Sequence, residues 1–202
     1  IKQCYISDII GGVYMNTVYF KEAGEQNTEE TLRLSLEVAK ERKIKHIVIA
    51  TTRGVTAQKA IEIFNPKEFN LVFVSHMTGF REPGKQELPE ELRKKLIDAG
   101  AKVLTTTHVL SGIERGIRNK FDTIGLVQII AYTLRLFGQG TKVIVEIAVM
   151  AADAGLIPVD EDIIAIGGTG KGADTAAIVK PAHSNDFFSL KIREFICKPV
   201  EF

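Results

Sequence analysis

The sequence predicts an α/β fold built on a parallel sheet with a strand-rich tail, and three observations carry that prediction. Short β-branched runs alternate with helical stretches along the first two thirds of the chain. At 202 residues, 45% of them hydrophobic, the chain is long enough for one substantial core and too short for two large domains. Two late strands flank a glycine-rich loop, so the tail is richer in strand than the start.

The first strand is TVYF at 17–20, and a helix follows from about 28 to 42, with Asn27 and Glu30 as its capping box. HIVIA at 46–50 is the second strand and leads into a helix from about 54 to 64. NLVFVS at 70–75 is the third, and the next helix, about 89 to 99, opens on Pro89 and stops before Gly100. KVLTTT at 102–107 leads through Ser111-Gly112-Ile113-Glu114, a second capping signature, into helix that reaches about 137 with a break near 120. TKVIVEIAVMAADAG at 141–155 is β-branched like a strand, but its length and terminal Gly155 favour a buried helix. DIIAIGG at 162–168 and TAAIVKPA at 175–182 are strands, and EFICKPV at 194–200 is a last edge strand. Residues 1–16, which include Met15, are expected to be an N-terminal extension to a single domain spanning 17–202.

Composition narrows the partners. A formal charge of +1 without blocks of like charge gives no electrostatic basis for binding nucleic acid or an anionic membrane. The longest apolar segments, around 124–137 and 143–152, are interrupted by Gln128, Arg135 and Glu146, so they are core helices and not membrane spans. The opening residues lack the pattern of a secretory signal, and Cys4 and Cys197 suggest neither a disulfide framework nor a zinc site. A reduced, cytoplasmic setting is expected, and self-association is compatible with a compact domain of this size.

In a parallel sheet the ligand crevice lies beyond the carboxyl ends of the strands, so the residues after each apolar run are the informative ones. After the second strand come Thr51, Thr52, Arg53, Gly54, Thr56 and Ala57. This reads as a phosphate-binding turn: the helix start offers unpaired amides, glycine admits a close anion, the threonines add hydroxyls and Arg53 a charge. The competing reading is an ordinary strand-to-helix connection capped by a threonine. After the third strand come His76, Thr78, Gly79 and Phe80, and after the fourth come His108, Ser111 and Gly112. His76 and His108 are placed to touch a ligand or exchange a proton. Glu146 and Asp153 share a side of an apolar helix and are read as ties to neighbouring loops, or as partners of Arg115 or Arg118, in preference to a catalytic acid–base pair.

The cluster Gly167, Gly168, Thr169, Gly170, Lys171, Gly172, Ala173, Asp174 and Thr175 is not a Walker loop, because Gly172 follows Lys171 and a strand follows the cluster. It is either a glycine-permitted hairpin or a backbone lid that offers N–H groups and Lys171 to an anion, the latter if it faces the Thr51–Thr56 turn.

TTRGVTAQKA after a strand resembles the phosphate-binding turn in the carboxyl-terminal domain of pyruvate kinase, and DIIAIGGTGKGADTAAIV at 162–179 resembles that domain's strand–loop–strand. In that family the two loops grip an allosteric sugar bisphosphate. The chain more closely resembles stand-alone microbial proteins with this fold, through YFKEAGEQNTEETL, TGFRE, HVLSGIERGI, VEIAVMAADAGLIPVDEDIIAIGG and GADTAAIVKPAH, over roughly 17–202. The resemblance implies a three-layer αβα fold with a mixed sheet and flavin mononucleotide (FMN) as ligand. On this reading Thr51, Thr52, Gly54, Thr56 and Ala57 hold the phosphate, His76, Thr78, Gly79, Phe80, Ser111 and Gly112 border the rest, and Gly167–Thr175 closes over it. Arg53 and Lys171 depart from the family's usual small or variable residues. Pyruvate kinase activity is not implied, because that enzyme's catalytic residues lie on a separate barrel domain and not among these residues. No residue is assigned as catalytic, and any oxidoreductase chemistry would be the flavin's. The alternative expectation is a non-catalytic module that senses a sugar phosphate or nucleotide.

Overall fold

A computed structural model describes residues 17–202. The expected extension at 1–16 lies outside the described residues. The strands are β1 (Val18–Glu22), β2 (His46–Ala50), β3 (Asn70–Ser75), β4 (Lys102–Thr105), β5 (Ile163–Gly167), β6 (Thr175–Lys180) and β7 (Lys191–Glu201). They form one sheet in the order β1-β7-β6-β5-β2-β3-β4. Pairing is parallel except at β5/β6 and β6/β7, so β6 alone runs against the rest.

The helices are α1 (Thr28–Glu41), α2 (Val55–Ile63), α3 (Glu90–Asp98), α4 (Gly112–Phe121), α5 (Leu126–Arg135) and α6 (Gln139–Asp153). Successive side chains of a strand point to opposite faces, so β2, β3 and β5 build two cores at once. Ile47, Ile49, Phe73 and Ile166 pack with Leu32 of α1, Ala57 and Ala60 of α2 and Leu96 of α3. Val48, Val72, Val74 and Ala165 pack with Ala131 of α5 and with Ile144, Ile147 and Ala148 of α6. The fold is therefore a three-layer αβα sandwich on a mixed, mostly parallel sheet. Among the described residues no helix is long and apolar enough to cross a membrane.

The ambiguous segment at 141–155 is helical: it is α6, packed between the sheet and α5, so that its nearly all-round apolar surface is buried. The expected break near 120 falls at Asp122, whose φ of +48° ends α4 in a left-handed turn. Three local expectations fail. The last strand is not an edge: β7 pairs with β6 on one side and β1 on the other, and β1 is the edge. That pairing joins the two ends of the domain, which no local pattern encodes. The Asn27–Glu30 capping box does not form, since Asn27 donates to Glu22 O at 2.8 Å and Glu30 pairs with Arg33. Glu114 does not cap α4 either; its carboxylate accepts from Val127 N (3.1 Å) and Gln128 N (2.6 Å), and so caps α5.

Candidate functional site

The register of β2 and β5 positions the site. Ile49 pairs with Ile166, so Thr51 and Thr169 follow within two or three residues at the carboxyl ends of adjacent strands. Here the chain order turns back, β2 leading to β3 on one side and β5 to β6 on the other, which is where an α/β sheet opens a crevice. The Oγ1 atoms of Thr51 and Thr169 are both buried and have no hydrogen-bond partner among the described residues. Each such orphan costs about 1–3 kcal/mol, so two at one sheet edge leave an unmet hydrogen-bonding demand there.

Beside them α2 begins. Gly54 is left-handed at φ +90°, and a Cβ there would lie 1.9 Å from Leu92 Cδ2, so the turn is shaped for glycine twice over. No side chain caps α2. The leading amides of Val55, Thr56 and Ala57 are therefore available to an anion at the positive end of the helix dipole. Thr56 and Ala57 are buried, whereas Arg53 is exposed and leans towards Glu87, its Nε 4.0 Å from Oε1.

The loop after β3 adds an aromatic and ionic cluster. His76 Nδ1 lies 2.8 Å from Glu87 Oε2 and Nε2 lies 3.4 Å from Thr52 Oγ1. A neutral imidazole donates from Nδ1 to the carboxylate and accepts the Thr52 hydroxyl proton at Nε2. Burial lowers the His76 pKa below its ordinary value, against the opposing pull of Glu87 and with help from His108 and Arg81. Arg81 Nε lies 3.2 Å from Glu87 Oε1. Phe80 packs on both histidines, with centroids 4.1 Å from His76 and 5.2 Å from His108. Thr78 lies in the same loop, where its hydroxyl is 3.4 Å from Gln86 Nε2 and Gly79 N donates to Lys85 O.

His108 is anchored from below. Met77 N donates to its Nε2 at 3.3 Å, so Nδ1 carries the proton that faces Glu146 Oε2 at 3.5 Å. Lys142 Nζ also bonds Glu146, and Leu110 N donates to Glu146 Oε1 at 3.1 Å. Burial alone would push the Glu146 pKa up, but the His108 hydrogen bond and the Lys142 charge outweigh it and hold it at about 2. Glu146 thus ties the 108–110 loop to α6, and Asp153 ties the 183–184 loop through Ser184 N at 3.0 Å. The partners are Lys142 and His108 for Glu146 and His183 for Asp153, not Arg115 or Arg118.

The glycine-rich loop divides in two. Asp174, fully buried, accepts from Gly24 N (3.0 Å), Thr169 N (3.1 Å) and Thr175 Oγ1 (2.8 Å). Ala173 N donates to Thr28 Oγ1 at 3.0 Å. Gly167 ends β5, with Val143 2.9 Å from where its Cβ would be. Gly167, Ala173, Asp174 and Thr175 therefore belong to the scaffold of the loop, and Gly168, Thr169 and Gly172 form the arch between them. Ser111 and Gly112 follow the loop of His108, whose ring meets Phe80, and lead into α4. There Ser111 lines a separate cleft between α4, α5 and α6.

Glu87 and Lys142 escape a reading of the sequence. Glu87 sits in a loop of mixed charge without spacing to mark it. Lys142 is one of many lysines, and only its place one turn before Glu146 in an apolar helix hints at a buried pair.

The family match agrees with the architecture. Residues 29–179 match the family described as pyruvate kinase, alpha/beta domain. The chain is similar to Cryptosporidium parvum pyruvate kinase in complex with ADP, with 16% identity and a TM-score of 0.39, covering 75% of this chain and 23% of that one. It is also similar to a second crystal structure of pyruvate kinase from that organism, with 17% identity and a TM-score of 0.35, covering 70% and 20%. The chain thus spans about a quarter of the length of the solved enzymes it matches.

Proposed function

We propose, from the premise that the chain belongs to the pyruvate kinase alpha/beta domain family, that it binds a phosphorylated small molecule at the β2/β5 crevice, with FMN as the ligand. The observation that carries this reading is the pair of buried, unpartnered hydroxyls of Thr51 and Thr169 beside the uncapped start of α2. A phosphoryl group would accept from those hydroxyls, from Thr56 and from the leading amides of α2, each bond contributing about 1.5–3 kcal/mol. The residues fit an FMN phosphate in this respect. The His76–Phe80–His108 rings, joined to the turn through Thr52, offer a wall on which a flat ring can stack. When bound, the flavin would supply hydride or electron transfer; the protein's part is to hold the phosphate, orient the ring and fix a neutral His76 near it.

The test is to purify the protein without added cofactor and record its visible spectrum, then to titrate it into FMN and follow flavin fluorescence. A flavin band, or saturable quenching, is the expected result. A colourless protein that leaves FMN fluorescence unchanged contradicts FMN, and binding of a sugar bisphosphate or nucleotide by that same protein would make it a sensing module. Self-association is proposed as well, since most of the exposed large apolar side chains fall on α4, α5 and their connections, among them Ile113, Phe121, Ile124 and Leu126. Sedimentation velocity over a range of concentrations tests it, and a monomer throughout would refute it.

A further inference from the structure

A basic cleft lies among α4, α5 and α6, on the face of the sheet opposite α2. α4, α5 and α6 enclose a cleft of about 110 Å³ lined by Arg115, Arg118, Arg135 and Lys142, with the Glu114 carboxylate in its wall and Glu146 paired to Lys142 behind it. Both carboxylates are already committed. Glu114 accepts from two amides at the start of α5, and Glu146 serves Lys142, His108 and Leu110 N. The three guanidinium groups have no carboxylate partner among the described residues. Arg115 lies over the Phe80 ring at 4.5 Å, Arg118 touches Asn119 Oδ1 at 3.4 Å, and Arg135 bonds Gln139 Oε1 at 2.6 Å and lies 5.3 Å from the Tyr132 ring.

Arginines without a counter-ion normally spread into solvent, but all three are half-buried around one opening. The cleft holds an excess of two positive charges, with the neutral donors of Ser111, Gln128 and Tyr132 at its rim. Guanidinium forks match the oxygens of phosphate bidentately. The volume is below that of pockets for drug-sized ligands, which excludes a nucleotide or flavin ring and suits one compact dianion.

We infer that the α4–α6 cleft is a binding site for a dianionic phosphoryl group, distinct from the turn at Thr51–Ala57. Its ligand is inorganic phosphate or a small phosphomonoester, gripped by Arg115, Arg118 and Arg135. Because Arg115 rests on Phe80, which packs on His76 and His108, an anion here would also bear on the wall of the first crevice.

Inorganic phosphate titrated into the ¹⁵N-labelled full chain, followed by amide shifts with chloride at matched ionic strength as control, tests this. Saturable shifts are expected at 110–115 and 128–135, and Arg118→Gln with Arg135→Gln should weaken them on the order of a hundredfold, about tenfold per guanidinium. Arg135→Lys, which keeps the charge and loses the fork, should retain part of the affinity. In Thr56→Val the cleft shifts should persist, so that failure of the first site is distinguishable from failure of this one. Shifts that follow chloride equally, or that survive the double substitution in a variant with an unchanged amide spectrum elsewhere, would overturn the proposal.

Discussion

At the scale of single residues the site turns on groups whose neighbours force one state on them. His76 is held neutral by burial, although Glu87 pulls the other way, so its ring is expected to titrate below the ordinary 6.5. The sign follows: a histidine whose folded pKa is depressed contributes stability above the unfolded value and loses it as pH falls through the folded one. Histidine ring shifts followed by NMR against pH would check this, and a His76 midpoint at or above 6.5 would contradict it. Gly54 supports a second prediction. Gly54→Ala meets both the +90° φ and a Cβ 1.9 Å from Leu92 Cδ2, and should cost roughly 2–4 kcal/mol in urea denaturation. The turn itself was legible in the sequence, because threonine, glycine and a strand-to-helix junction have local signatures. The buried status of Asp174 was not, since a carboxylate that accepts from Gly24 N, 150 positions away, has no local pattern.

At the scale of elements, composition and period were enough for the alternation of strands and helices, and failed where a residue serves a neighbour. Ser111 and Glu114 have capping-box spacing, yet Glu114 reaches over to the start of α5, and Gly125 leaves room for it, since a Cβ there would lie 2.1 Å from Glu114 Oε1. Glu114→Ala should therefore destabilise α5 rather than α4, by about 1–2 kcal/mol. Hydrogen exchange would check this, with faster exchange expected at Val127 and Gln128 and little change within α4. The same limit explains β7. Its apolar run marks a strand, but only the pairing of Val18 with Cys197 and of Ala176 with Cys197 makes it interior. That burial pushes the Cys197 thiol up to about 12.

At the scale of the whole molecule, the carboxyl edge of the sheet is held by charge as well as by packing. The Glu146 carboxylate joins α6 to the β4 loop, and its pKa of about 2 against an ordinary 4.5 makes it a source of acid sensitivity. Its stabilisation is complete above pH 4.5 and is lost as pH falls towards 2, on the order of 3 kcal/mol. Urea midpoints measured across that range should fall, and Glu146→Gln should be less stable near neutrality but flatter in acid. The fold was legible at this scale because the alternation of elements leaves few topologies, whereas the ligand was not, because the crevice is assembled from four loops far apart in sequence. The central claim is that the β2/β5 crevice holds a phosphoryl group, and a thermodynamic cycle tests it most directly. FMN and riboflavin are titrated into the native protein and into Thr56→Val. The account predicts that the substitution weakens FMN ten- to a hundredfold and leaves riboflavin unchanged; equal effects on both ligands, or none on either, would contradict it.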